Sequence, residues 1–498
     1  AVIGDDRRHV WNFILAGLRW LGLVGPAMGF SLRGPYAPWM DRQKGYQFHF
    51  DTGGPMDLGN EYRWNVPLVT YGFDESFVEA LGEPGIQAVE EAFEVLNALP
   101  PASQINLEDF TLIPLFQNYE AYRNHILDLK STTLTLVLQH LGLSNPKWFV
   151  YAIRDIQFEP TATNYTIIQR NFDPVSLAPS ISINGTRFDH VPGYYSALDV
   201  HFLYISPMEM DSWPNMLPVA GHGPYGGEVF GFFAGDEMGG LACLLKPSNL
   251  NVEGLLPGVV GAGTNADNYV TTALRPGVDK ITFQRLHFDA VAKTFTPLTN
   301  VFTDLYVTNS EGRQQTLQRV ITQPDILFKV KDFKPKIFRW NSNISAGFHP
   351  HEISGTSAWI NNGTLNGSTE GPGVITPGAV ITFHDYAPSY LASGRSTNDE
   401  MHFHTTVWGS YSGSTNPPVV FLGNRTQLDS LSLQTSFTAT NGFEWIVLAN
   451  LNAVYQVERS TNLTQWEAVS LVTNSTGLIT VTDTNLTDRK FYRVVKQP

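Results

Sequence analysis

Five of the thirteen histidines fall within one stretch of the chain, His349, His351, His384, His402 and His404. Two of the spacings are H-x-H. On a strand, residues i and i+2 point to the same side, so each pair can chelate one ion through neutral imidazoles. Imidazole suits copper, zinc, iron or nickel, and Glu352, Asp385 and Glu400 stand close enough in sequence to add carboxylates. That constellation would make the chain an extracellular metal-dependent hydrolase or oxidoreductase carrying a divalent transition metal. The reading the sequence favours is plainer: exposed histidines scattered over a loop-rich β region, with no cofactor.

Other chemistries find less to work with. Gly367-Ser368-Thr369-Glu370-Gly371 approaches a nucleophile elbow but carries Thr at its centre and lies in a polar loop. Gly258 to Gly263 lacks the Lys of a phosphate-binding loop. Asp236-Glu237 is a carboxylate pair of the kind glycosidases use. Adjacent acids near a helix start read more economically as partners of the N-cap and the helix dipole. Aromatic residues make up 12% of the chain, with eleven Trp. They are able to supply sugar-stacking platforms, although most should be core, since aromatic rings dominate β packing.

The elements that must position these residues change character along the chain. Val66 to Phe73 reads as a strand, and Glu83-Pro84 opens a helix with Pro near its first turn. Ile86, Val89, Phe93 and Leu96 then recur at helical spacing until Pro100-Pro101. A second helix is expected from Asp128 to Leu143, with Leu134, Val137, Leu138 and Leu141 inward, and Phe149 to Ile156 alternates as a strand. After Asn251 helix signals nearly vanish. Short β-prone runs such as Lys280 to Phe288, Phe302 to Val307 and Val374 to Phe383 alternate with Gly, Pro, Thr and Asn to about Leu422. Asn361 to Pro372 reads as a long loop. Six further runs follow: Leu431 to Thr438, Glu444 to Leu448, Val454 to Arg459, Glu467 to Val472, Leu478 to Thr482 and Phe491 to Val495. They fit a small β-sandwich with Trp466 inside it.

A chain of 498 residues exceeds what one core usually organises, so several domains are expected. A hydrophobic content of 42% against 16% charged residues is that of a globular protein. The formal net charge of -14, with no run of Lys and Arg, argues against nucleic acid and anionic membrane surfaces. Cys243 is the one cysteine and has no internal disulfide partner. Arg7 and Arg8, the apolar run Phe13 to Val24 and the small residues of Ala27-Met28-Gly29 form a signal-peptide pattern, with Phe30 as the expected mature N-terminus. Arg19 interrupts the run, and an amphipathic first helix is the rival reading. No other stretch approaches the length of apolar chain that spans a bilayer.

Three segments carry a resemblance. Arg63-Trp64-Asn65-Val66-Pro67-Leu68-Val69-Thr70-Tyr71-Gly72-Phe73 resembles the opening strand of matrixin-type metallopeptidases of the metzincin group. Ala88 to Leu96 is similar to their first helix, and Ala234 to Leu245 to their closing helix. Between these the family places a zinc helix, HE.GH..G..H, in which His residues bind zinc and Glu activates water. Aligned on Leu141-Gly142-Leu143, the first His slot holds Thr135, the Glu slot Leu136, the second His slot Gln139 and the third Asn145. None of these replaces what it displaces. His140 lies one residue from a slot, and one residue turns a helical side chain by about 100° off the ligand face. It reads as a partly exposed or hydrogen-bonded histidine. The tail, Tyr455-Gln456-Val457-Glu458-Arg459-Ser460-Thr461-Asn462-Leu463-Thr464-Gln465-Trp466 with Phe491-Tyr492-Arg493-Val494, resembles a fibronectin-like C-terminal module of exported bacterial proteins.

The resulting expectation is a multidomain protein: residues 1–29 a signal peptide, 30–250 an α+β matrixin-like domain, 251–426 a β-rich domain, and 427–498 a fibronectin-like β-sandwich. It would be a secreted or cell-surface bacterial protein, non-catalytic, with a binding or extracellular structural role. Its partner would be an extracellular polymer or another copy of itself. An architectural surface or filament component is the third possibility, beside the metal-dependent enzyme.

Overall fold

The computed structural model describes residues 28–47, 53–110, 112–197, 200–210, 218–221, 223–289, 292–331, 351–354, 359–361, 373–384, 386–389, 402–405, 407–421, 433–438, 442–448, 454–462, 464–473, 478–483 and 491–497. In chain order the elements used below are strand β1 (Phe30–Gly34), β2 (Leu68–Phe73), helix α1 (Glu75–Asn97), β3 (Leu115–Gln117), α2 (Tyr119–Arg123), α3 (Leu129–His140) and α4 (Pro146–Phe149). They continue with β4 (Glu228–Phe230), α5 (Gly235–Leu245), β5 (Thr282–Arg285), β6 (Ile326–Lys331), β7 (His351–Ser354) and β8 (Ala379–His384). The described chain is rich in strands arranged in many sheets. No helix among the described residues is long and apolar enough to cross a membrane.

Helix α1 begins eight residues, about two turns, before the Glu83-Pro84 start read from the sequence. Asp74 caps the helix through Phe77 N–H at 3.1 Å, and Gly82, at φ 61°, breaks it just before the Glu83-Pro84 start. Pro84 cannot donate to the preceding turn, and Gly82 accommodates the break at no cost in Cβ contacts. Phe149 ends the short helix α4, and the strand read from there begins instead at Ala152.

The central five-stranded sheet runs β5-β2-β6-β8-β7. β2 is paired in parallel on both sides, to β5 and to β6, while β7 closes one edge antiparallel to β8. Helix α1 covers it with aromatic rings. Tyr71 stacks on Phe93 with centroids 3.8 Å apart, Phe77 meets Phe73, Phe328 and Phe383, and Phe93 meets Phe283 and Phe328. Strands from before and after residue 250 therefore share one core, and the domain boundary expected there passes through the sheet. Local patterning marks Val66 to Phe73, Lys280 to Phe288 and Val374 to Phe383 as strands but is silent on pairing between segments so distant in sequence.

Buried ion pairs bridge the same boundary. Arg63, wholly buried, donates to the Glu253 carboxylate at 2.8 Å and to the carbonyls of Leu244, Asn249 and Arg275. Asp325 pairs with Arg319 and accepts the backbone N–H and hydroxyl of Thr70 at 2.8 and 3.0 Å. A second five-stranded sheet, antiparallel throughout, joins Asn251–Gly254, Thr272–Arg275, Leu298–Thr308, Glu311–Ile321 and Val259–Gly261 in that order.

The six C-terminal runs form strands at Leu433–Thr438, Gly442–Leu448, Val454–Ser460, Glu467–Thr473, Leu478–Asp483 and Phe491–Lys496. They make two three-stranded antiparallel sheets, with the second and third strands central. Tyr455 and Val457 are buried. Trp466 is half-buried at the surface under the Arg493 guanidinium, 4.3 Å from its ring, rather than inside.

Residues 1–27, which carry most of the expected signal peptide, lie outside the described residues. Ordered packing is already present at Met28 and Gly29: the Met28 carbonyl accepts the Ser180 hydroxyl at 2.8 Å, and a Cβ on Gly29 would sit 2.2 Å from the Asn171 amide.

Candidate functional site

The four slots of the zinc-helix alignment sit on and after α3. Asp128 caps this helix, accepting the Ser131 N–H at 2.8 Å and its hydroxyl at 2.5 Å. Burial pushes the Asp128 carboxyl up to about 6, opposed by those hydrogen bonds. Every residue of α3 except Lys130 and Gln139 is buried. Thr135 is enclosed with its hydroxyl unpartnered, and Leu136 is core. Gln139 donates its amide to the Gly221 carbonyl at 2.5 Å. Asn145 caps α4 through the Lys147 N–H at 3.1 Å. The first three thus share one helix and are used in packing, while the fourth serves the next helix.

His140 is neither exposed nor hydrogen-bonded through its ring, contrary to expectation. It is fully buried, both ring nitrogens lack partners, and it stands edge-on to Trp64 at 5.3 Å. Its carbonyl accepts the Trp64 indole N–H at 3.1 Å. Burial, and then the nearby Arg33 guanidinium, lower its pKa to about 3, so the ring is neutral at ordinary pH.

Of the histidine cluster, His349 lies outside the described residues. His351 is on β7, in register with Phe383. His402 and His404 occupy alternate positions of the strand His402–Thr405, opposite Ser389 and Ala387. His384, at the end of β8, is buried rather than exposed, and its carbonyl accepts the Trp408 indole N–H at 3.0 Å. Among the described residues no group of three or more His, Cys, Asp or Glu is placed to hold an ion.

Asp236 and Glu237 lie in the first turn of α5, both buried. Glu237 accepts the N–H groups of Val219 at 2.7 Å, Ala220 at 3.3 Å and Ala234 at 3.1 Å. Asp236 accepts that of Asn184 at 2.6 Å, and also that of Gly29. Asn184 and Gly185, at φ 45° and 81°, form a two-residue hairpin turn whose tip is thereby fastened to α5. Burial raises both carboxyls, Glu237 to about 7. Asp236 is raised by burial and then by Glu237 beside it. These acids hold a helix start and three other segments, as capping requires.

The exterior feature that sequence reasoning missed is a group of rings where α2 meets β3 and β4. Eight large aromatic side chains stand well exposed among the described residues, and five of them are here: Phe116 (45%), Tyr119 (62%), Tyr122 (55%), Tyr225 (64%) and Phe232 (37%). Tyr119 and Tyr122 are three apart on α2 and share a side. Phe116 and Phe232 meet edge to face at 5.6 Å. Tyr225 sits on the loop Gly223-Pro224-Tyr225-Gly226-Gly227, which lies directly on the backbone of α2. A Cβ at Gly227 would be 2.3 Å from the Tyr122 Cα, and one at Gly226 2.9 Å from the His125 Cα.

Asn118, buried, fixes this region. Its side-chain oxygen caps α2 through the Ala121 N–H at 2.8 Å, and its amide donates to the carbonyls of Gly413 and Asn416 at 3.0 and 2.7 Å. The exposed residues Ser412, Ser414, Thr415 and Asn416 are thereby held beside the rings. The sequence signals were Tyr119-x-x-Tyr122 after a capping Asn and a tyrosine within the turn-forming run Gly223-Pro224-Tyr225-Gly226-Gly227. Residue type alone does not separate an exposed ring from a core ring.

No family model, curated protein or solved structure matches the chain.

Proposed function

We propose that this is an exported, non-catalytic protein with a binding or structural role outside the cell. Its N-terminal region would be a metzincin-like scaffold in which peptidase chemistry has no residues to run on. The observation that supports this reading most is the use of Thr135 and Leu136 as core residues of α3, where a peptidase would need a metal ligand and a general base open to substrate. The paired three-stranded sheets at the C-terminus fit a fibronectin-like module, the kind of module whose resemblance suggests export.

The deciding measurement is the metal content of the purified full chain by mass spectrometry, with a His402→Ala/His404→Ala variant beside it. The expected result is no stoichiometric transition metal in either. Stoichiometric metal that disappears in the variant would replace this reading with a metal-dependent enzyme centred on the histidines.

A further inference from the structure

We infer that the aromatic surface formed by Phe116, Tyr119, Tyr122, Tyr225 and Phe232 is a binding site for a β-linked polysaccharide. This goes beyond the functional reading above, because such a site would serve an enzyme as well as a scaffold.

The composition of the patch selects the ligand. Protein-docking surfaces combine aromatic rings with Met and Arg and are depleted in Ser, Asp and Glu. Here the exposed aliphatic neighbours are Ile113 on the same segment and Val419 on the hairpin that carries Ser412–Asn416, and serines and carboxylates adjoin the rings. A pyranose presents a face of C–H groups and a rim of hydroxyls. Exposed rings accept the C–H face, and tyrosine keeps its hydroxyl in water while doing so. The hydroxyls of the sugar need hydrogen-bonding groups beside the rings. Ser412, Ser414, Thr415 and Asn416 provide them, on a loop tied to the cap of α2.

Charge removes the main rival for stacked rings, single-stranded nucleic acid. That ligand requires a basic groove along its backbone, whereas the chain carries a formal net charge of -14 and the exposed Arg123 of α2 is outnumbered at this surface by Glu120 and Glu228. The site is also preorganised. Gly226 and Gly227 let the Tyr225 loop press onto α2, and Tyr411 locks the floor by donating its hydroxyl to the carbonyls of Ile126 and Glu228 at 2.9 and 3.0 Å.

The test is depletion of the purified full chain from solution by two insoluble probes, microcrystalline cellulose and chitin. The wild type is compared with Tyr119→Ala/Tyr122→Ala/Tyr225→Ala and with a control, Val301→Ala/Leu305→Ala, on the exposed face of the strand Leu298–Thr308. Thermal unfolding verifies that each variant is folded. If the triple variant is not folded, Tyr225→Ala alone, at a loop tip, takes its place. Binding of the wild type to at least one polymer, an affinity about tenfold or more lower in the triple variant, and an unchanged control are expected. No depletion by either polymer would overturn the assignment, as would equal binding by the triple variant or equal loss in the control. So would a triple variant that alters self-association by light scattering while leaving depletion intact.

Discussion

Helix α2 begins at Asn118 and helix α3 at Asp128, and each cap accepts a backbone N–H at 2.8 Å three residues on. From there the two diverge. α3 turns almost every side chain into the core, Thr135 and Leu136 among them, whereas α2 buries only Ala121 and offers two tyrosines to solvent. The residues at the four aligned positions are thus engaged within the fold, Thr135 and Leu136 in the core, Gln139 on the Gly221 carbonyl and Asn145 as a helix cap. The capacity to contact something outside lies on a short helix with no motif at all.

The contrast can be broken most forcefully by placing a glutamate at Leu136. Leu136→Glu would place an uncompensated charge in the core and should lower the unfolding free energy by about 3–5 kcal/mol, read from denaturant titration. A stable variant that gains zinc would show instead that α3 borders an open cleft.

A somewhat smaller effect is expected from pH. Asp236 and Glu237 hold protons in the folded protein that they release on unfolding, Glu237 up to about pH 7. Over that window the folded state binds more protons, so stability falls as pH rises from the ordinary carboxyl range to about 7 and is intact below it. His140 works in the opposite direction. Its pKa of about 3 against an ordinary 6.5 means that the unfolded state binds more protons in between, so stability falls as pH falls through that interval. Melting temperatures across pH 3 to 8 should therefore lose part of their acid-side decline in His140→Leu and part of their decline toward neutrality in Glu237→Gln. Parallel curves for wild type and both variants would refute the assignment of these groups.

Thr135→Val should stabilise by about 1 kcal/mol, because it removes a buried hydroxyl with no partner while keeping the shape. A loss of stability would mean that the hydroxyl is used. On the other helix, Tyr119→Ala or Tyr122→Ala should change stability by no more than about 0.5 kcal/mol each, since neither ring is core. A larger loss would place the rings in the fold rather than on its binding surface.

Much of the local structure was legible. Ile86, Val89, Phe93 and Leu96 at helical spacing marked α1, and turn residues at regular intervals marked the six C-terminal strands. The central sheet was not, because Leu68 pairs with Thr282 and Tyr71 with Ile326, and parallel partners leave no trace in local alternation. His140 was misjudged because a histidine on an apolar helix looks alike whether its ring reaches water or is sealed against Trp64. The aromatic surface was invisible for a similar reason: Tyr119 and Phe93 differ in surroundings, which composition does not record.

The parallel pairing of β2 on both sides has a consequence for how the chain comes off the ribosome. Asp325, which grips Thr70, is 255 positions downstream. At about 5–20 residues per second, tens of seconds pass between the emergence of β2 and the arrival of its last partner. Until then a nascent chain carries two open strand edges and the aromatic face of α1 without cover, so safe delivery depends on holding that intermediate apart from its neighbours. A chain stopped near residue 250 would remain in that state.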